Sequence, residues 1–238
     1  MCTVTYLPVQ DGFVLTHNRD EAPARSQFGL TRIGQVLFPK DAKSGGTWIA
    51  TARGGRTACL LNGAFLKHRH EPPYRRSRGL VLLDFFEWPH PGDFFEQYDL
   101  NGIEPFTFLY FGPERAVELR WDGDHRHLAE LALEQTHFWC SATLYPPDMQ
   151  ARREQVFRDW LVGADRTRAT SLSADIFGLH IRGSVGDPEN DFIMNRSERV
   201  RTVSVTQVVR RSTGATMRYM DLLNGGGALK KRIIESNL

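Results

Sequence analysis

The stretch "MCTVTY" (residues 1–6) opens an alternating run of β-formers, with a thiol at its second position. Thr3, Val4, Thr5 and Tyr6 favour an extended chain, Asp11-Gly12 signals a tight turn, and "FVLTHNRDE" (residues 13–21) returns as a second strand. A hairpin of this kind brings the end of its second strand back beside Cys2. Cys is small enough to permit excision of Met1, which would leave a thiol and a free α-amine on one residue. An α-amine titrates at about 7.7–8.0, so it can act as base to its own thiol near neutral pH. Position alone leaves two readings open: a nucleophile that carries its own base, or a small residue after the start codon.

The run "HNRDE" (residues 17–21) supplies what a thiol nucleophile needs around it. Arg19 offers a fixed positive charge that depresses a thiol pKa. Asp20 can hold that arginine or the α-ammonium, and Asn18 can donate to an oxyanion. The bland alternative is a polar strand end with a local ion pair.

Further out, the 238 residues carry 41% hydrophobic and 24% charged side chains, ordinary values for a globular chain with room for a proper core. A net charge of +2 is too small to point to nucleic acid. The three cysteines (Cys2, Cys59, Cys140) lack metal-type spacing and a disulfide pattern; Cys59 and Cys140 sit in β-like stretches and read as packing residues. No signal peptide and no span of membrane length is visible, so the expectation is a cytoplasmic protein without an integral membrane segment. No cofactor or metal site is expected.

Residues 48–52 and 56–61 read as a hairpin around Arg53-Gly54-Gly55, closed by Asn62-Gly63. "RSRGLVLLDFFEW" (residues 76–88) reads as a helix after a Ser77 cap, stopped by Pro89 and Pro91. "FTFLYFG", "AVELRWDG" and "HLAELAL" read as strands, and "PPDMQARREQVFRDWL" (residues 146–161) as an amphipathic helix with Val156, Trp160 and Leu161 on one side. "SLSADIFGLHI" predicts a shorter helix, and "RVRTVSVTQVVRR" with "ATMRYMDLL" a closing hairpin around residues 212–214. "GGG" (residues 225–227) reads as a turn before the tail. Strands at both ends with helices between predict one layered α+β domain over residues 1–238.

Cys2-Thr3, "NRDE" (residues 18–21), "GGTW" (45–48), "LLNG" (60–63), "SRG" (77–79), "WCSATLY" (139–145) and "VRTVSVTQV" (200–208) together resemble the NRDE-motif family, in eukaryotes the transport and Golgi organisation protein 2 family. The resemblance implies an N-terminal-nucleophile (Ntn) hydrolase-like fold, a four-layer αββα sandwich similar to choloylglycine hydrolases and penicillin V acylases. Those enzymes cleave linear amides with an N-terminal Cys. Carried over by motif, Cys2 would be the nucleophile, Arg19 and Asp20 its positioning pair, Asn62 an oxyanion donor, and Arg201 the match to an active-site arginine. The adjacent Arg-Asp pair departs from the acylase spacing, and Ser141 stands where the acylases carry a second Asn. For the family itself the resemblance implies handling of haem, lipid or acyl-CoA, which makes a small-molecule amide, acyl-CoA or haem the expected ligand.

"LKHRHEPPYRRSR" (residues 66–78) places His68 and His70 ahead of Arg75, Arg76 and Arg78. Arginine forks match carboxylate and phosphate, so this loop is either a dock for an anionic ligand or a solvated basic loop.

Overall fold

A computed structural model describes residues 2–165, 169–223 and 228–235. The expected turn at residues 225–227 lies outside the described residues. β1 (Cys2–Val9) and β2 (Gly12–Glu21) form the predicted hairpin, in register from Val9 opposite Gly12 to Cys2 opposite Arg19. Gly12 takes a φ of 137°, and a Cβ there would lie 2.1 Å from the Arg210 carbonyl oxygen, so the turn needs glycine for conformation and for space.

β2 lies inside the first sheet, paired on its other side with β12 (Val200–Arg211). β13 (Gly214–Asp221) and β14 (Ala228–Glu235) continue outward from β12, β10 (His137–Cys140) covers the free edge of β1, and the short β11 (Asn195–Arg196) joins the start of β12. The second sheet is a meander in chain order: β3 (Thr31–Ile33), β4 (Val36–Phe38), β5 (Ile49–Ala52), β6 (Thr57–Asn62), β7 (Phe106–Phe111), β8 (Ala116–Trp121) and β9 (Arg126–Leu131).

Side-chain alternation along β1 and β2 explains the layering. Cys2, Val4, Tyr6, Phe13 and Leu15 turn toward the second sheet and meet Trp48, Ile49, Cys59, Leu61, Leu109 and Phe111 in a core between the sheets. Leu7 and Val14 turn the other way and pack beneath α3 (Pro147–Gly163) and α4 (Ala169–Arg182), against Phe157, Leu172 and Ile176. On the far side of the second sheet, α1 (Arg78–Phe85) and α2 (Pro91–Gln97) bury Val81, Leu82, Phe85, Phe94 and Phe95 against Leu60, Phe106 and Phe108. The order is helices, sheet, sheet, helices: the four-layer αββα sandwich of an α+β protein.

Two expectations need correction. Pro91 does not only stop the preceding helix; it occupies the first turn of α2, where its missing N–H costs nothing and its fixed φ suits a helix start. α3 buries Met149, Arg153 and Phe157, whereas Val156, Trp160 and Leu161 are only half-buried. The face of α3 turned inward therefore includes a charged residue. Among the described residues no helix is long and apolar enough to cross a membrane.

Candidate active site

Cys2 and Arg19 lie opposite each other on the face of the first sheet turned toward the second. Both line a cavity of about 350 Å³ at that end of the sandwich, together with Glu21, Trp48, Asn62 and Arg78. The cavity wall depends on backbone contact between two of the sequence motifs. A Cβ on Gly46 would sit 2.4 Å from the Gly79 carbonyl carbon, and the Thr47 amide donates to the Gly79 carbonyl at 3.0 Å. "GGTW" and "SRG" are glycine-bearing because the loop before β5 and the start of α1 touch main chain to main chain. This contact sets Trp48 and Arg78 on the wall.

Arg19 is 3% exposed, and its guanidinium lies 4.1 Å from the Trp48 ring centroid. Its Nη2 is paired with Asp41, and Nη1 donates to the Arg25 carbonyl at 3.2 Å. Arg25 in turn bridges Glu21 at 2.9 Å and Asp41 at 3.0 Å. Burial works against the charged form of Asp41, but the Ser44 amide and the two guanidiniums outweigh it and hold the carboxyl below its usual range. The charge on Arg19 is thus largely absorbed by Asp41.

Burial pushes the Cys2 pKa up to about 11, the Asp20 charge adds to the rise, and Arg19 only partly opposes it. Arg19 acts on the thiol in the expected direction, but burial outweighs it. Neighbouring His17 is fully buried, and burial holds it neutral with its pKa down at about 3.

Asn18 and Asp20 share the strand with Arg19 but face the helices, so the structure does not gather the whole "NRDE" run around Cys2. Asn18 donates to the His180 and Phe192 carbonyls at 2.9 and 2.7 Å and accepts from His180 Nδ1 at 2.6 Å. Both of its donors are spent, which removes it as an oxyanion donor. With Nδ1 protonated, the neutral His180 accepts the Thr5 hydroxyl at Nε2, 2.8 Å away. Asp20 accepts from Tyr145 at 3.0 Å and Thr202 at 2.7 Å, and burial pushes its pKa up against the pull of Arg153. β12 has a register shift between Thr202 and Ser204, beside Asp20 and Arg19.

Arg153 is the residue the sequence reading missed. It is fully buried beneath the first sheet and donates to Thr3 Oγ1 at 2.5 Å, to the Asp191 carbonyl at 2.8 Å and, more weakly, to Cys140 Sγ at 3.4 Å. Its guanidinium also lies 4.2 Å from the Tyr145 ring centroid. Cys140 is therefore tied into a polar network rather than serving only as packing, and burial raises its thiol pKa. Cys59 is fully buried in the core between the sheets, as expected.

Asn62 lines the Cys2 cavity at the end of β6, and its carboxamide makes no hydrogen bond to another described residue. Its carbonyl accepts from Ser141 Oγ at 2.7 Å, and the Ser141 amide donates to the Cys2 carbonyl at 2.9 Å. Ser141 therefore fastens the Cys2 strand end to β6 and is not free for a substrate. Arg201 lies opposite Glu21 in the ladder, pairs with Glu198 at 2.8 Å and does not line the cavity.

The basic loop forms one wall of the cavity through Tyr74, Arg76, Ser77 and Arg78, and its four arginines are ion-paired. Arg76 binds Asp84, Arg78 binds Glu104 at 2.8 Å, and His68 and His70 both reach Glu104 at 3.1 Å. It is a braced wall, not an open anion dock. Among the described residues no group of three or more His, Cys, Asp or Glu is placed to hold a metal ion.

The sequence model of the family described as Transport and Golgi organisation 2 matches residues 1–213. No curated protein matches the sequence. Among solved structures, the Caenorhabditis elegans N-acylethanolamine-hydrolyzing acid amidase ortholog is similar with a TM-score of 0.55 at 14% identity, covering 87% of this chain and 92% of that one. A mutant of the conjugated bile acid hydrolase from Clostridium perfringens is similar with a TM-score of 0.52 at 10% identity, covering 98% of this chain and 96% of that one. At such identities the likeness concerns the fold, which is that of the Ntn hydrolases.

Proposed function

The chain belongs to the Transport and Golgi organisation 2 family, and from that premise we propose that it hydrolyses a carbon–nitrogen (amide) or thioester acyl bond, with Cys2 as N-terminal nucleophile. The observation that carries this reading is the Cys2 thiol on the wall of an inter-sheet cavity, one strand away from Arg19. Excision of Met1 supplies the base. The Cys2 α-amine takes the thiol proton as sulfur attacks the acyl carbonyl, and gives it to the departing amine or thiol. Water then resolves the thioester. The Asn62 carboxamide, on the same cavity wall, is the oxyanion donor in this reading. Asp20, which accepts from Tyr145 and Thr202, stabilises the α-ammonium form through its charge in this reading. Arg19 positions the wall through Asp41 and Trp48. The neighbours whose names include amide and bile acid conjugate hydrolysis support an acyl substrate of small-molecule size.

The test is the intact mass of the purified protein, followed by labelling with a thiol-directed acyl probe. Loss of Met1 and labelling that disappears in Cys2→Ala are expected. A retained Met1, or equal labelling of Cys2→Ala, rejects the nucleophile.

The thiol held neutral by burial favours a second reading. In it the cavity carries haem, acyl-CoA or another amphipathic metabolite without turnover. Titrating haem and a long-chain acyl-CoA separately discriminates: a carrier binds one of them stoichiometrically below about 10 μM and returns it intact.

A further inference from the structure

The two long central strands of the first sheet carry a buried arginine at each end of the inter-sheet layer. At one end Arg19 meets Asp41. At the other end Arg210, opposite Phe13 in the ladder, meets no carboxylate among the described residues. Arg210 is 5% exposed. Its Nη2 donates to Thr51 Oγ1 at 2.6 Å and to the Ala52 carbonyl at 2.7 Å, while Nε and Nη1 have no acceptor. Burial alone lowers its pKa, to about 10, so it remains a cation at neutral pH. Native proteins rarely leave a buried charge with idle donors, because desolvation is then uncompensated.

Arg210 also lines a cavity of about 820 Å³, larger than the one at Cys2. From Phe13 to Arg19 the strand runs six residues, about 20 Å, so the two cavities sit at opposite ends of the sandwich. The inner wall is apolar and aromatic: Tyr6, Phe13, Pro113 and Leu133. Tyr6 is fixed there by donating to the Leu133 carbonyl at 2.9 Å and by stacking on Phe111 with centroids 4.6 Å apart. Charges of both signs mark the solvent side. Asp11 and Glu134 are exposed and Arg211 half-buried, and Asp11 accepts the Ser212 amide at 3.2 Å. Two carboxylates at the outside oppose a polyanion. A single buried cation at depth suits one negative charge.

We propose that this cavity is a second ligand site, taking an amphipathic molecule with one carboxylate head, which meets the idle donors of Arg210, and an unbranched apolar tail along Tyr6, Phe13 and Leu133. The proposal is independent of chemistry at Cys2, because no residue is shared by the two walls.

Isothermal titration of the full chain with dodecanoate, and with dodecanol as the uncharged control, tests it. Dodecanoate should bind one to one with Kd near or below about 10 μM, at least about tenfold tighter than dodecanol. Arg210→Met should remove most of that preference. If Arg210→Met does not fold, Leu133→Trp serves: it keeps the cation, narrows the apolar wall beside Tyr6 and Phe13 where the tail would lie, and should weaken dodecanoate binding at least about tenfold. Prior acylation of Cys2, or Cys2→Ala, should leave dodecanoate affinity unchanged. Equal affinity for dodecanoate and dodecanol, no binding of either, unchanged binding in the variant tested, or loss of binding on Cys2 modification would each overturn the site.

Discussion

Cys2 and Arg19 are direct cross-strand partners, yet the guanidinium is committed to Asp41 and not to the thiol. Removing either end of the Arg19–Asp41 pair should therefore move the thiol in opposite directions. Arg19→Gln removes a charge that opposes the effect of burial, so the Cys2 pKa should rise. Asp41→Asn releases Arg19 toward the thiolate, so the pKa should fall. Alkylation rate against pH, followed by mass at Cys2, reads both, since the thiolate is the reactive species. Superimposable profiles for all three proteins would leave Arg19 as a brace with no electrostatic hold on Cys2.

The two glycine motifs give a prediction about stability. Gly46→Ala drives a Cβ into the Gly79 main chain, where nothing flexible can yield. Overpacking of this kind costs about 1–3 kcal/mol, and it should also pull Trp48 and Arg78 apart at the cavity. Gly92, in α2, has nothing within 4 Å of an added Cβ. Gly92→Ala should be neutral or stabilise by up to about 1 kcal/mol through the unfolded chain. Denaturant midpoints for the two variants should lie on opposite sides of wild type or with Gly92→Ala unchanged. Equal losses would mean that the close approach at Gly46 is relieved by movement of the loop.

Histidine burial sets a pH dependence. His17 is neutral in the fold, its Nε2 against the Leu60 carbonyl at 3.3 Å, and its pKa is down at about 3. As pH falls below about 6.5, the unfolded chain takes up a proton that the folded chain refuses. The stabilisation is therefore full above that pH and is lost progressively toward pH 3, at up to about 1.4 kcal/mol per unit. His180, also lowered by burial, acts with the same sign. His17→Gln should flatten the acid limb of a stability–pH curve by part of its slope, even where it lowers stability at pH 7.5. A curve with undiminished slope would assign the acid sensitivity to other groups.

The pairing of Cys2 with Arg19 was legible because Asp11-Gly12 fixes a tight hairpin, and a fixed turn sets every pair along it. The destination of Asn18 and Asp20 was not. A polar alternation on a strand ordinarily faces water, but β1 and β2 lie inside the sandwich, so Thr3, Thr5, Asn18 and Asp20 face a buried polar layer under α3 and α4. The cation of that layer, Arg153, stands in "QARREQ" among solvated charges, and no local pattern separates it from Arg152, which is exposed. Arg201 matched an acylase arginine by resemblance alone, and its side chain pairs locally with Glu198. The glycines of "GGTW" and "SRG" were visible as a set, whereas their mutual contact joins segments more than thirty residues apart.

That buried layer yields the last prediction, on Arg153 and Asp20. Asp20 is fully buried, its pKa raised by burial, and Arg153 is the foremost influence drawing it back toward ionisation. The two make no direct salt bridge; Tyr145 lies between them, donating to Asp20 and receiving the guanidinium on its ring. Arg153→Met leaves Asp20 without its compensating charge and also strands the Asp191 carbonyl and Thr3 hydroxyl, so a loss of about 3–5 kcal/mol is expected. Asp20→Asn alone should cost less, because Thr202 and Tyr145 can still bond a carboxamide oxygen or be bonded by it. If the coupling is electrostatic, the double variant should be more stable than the sum of the two single losses predicts, by about 1–3 kcal/mol. Urea denaturation of the four proteins closes the cycle. Strict additivity would show that Arg153 acts on the fold through its hydrogen bonds to Thr3 and the Asp191 carbonyl, with the carboxylate of Asp20 insulated from it by the Tyr145 ring.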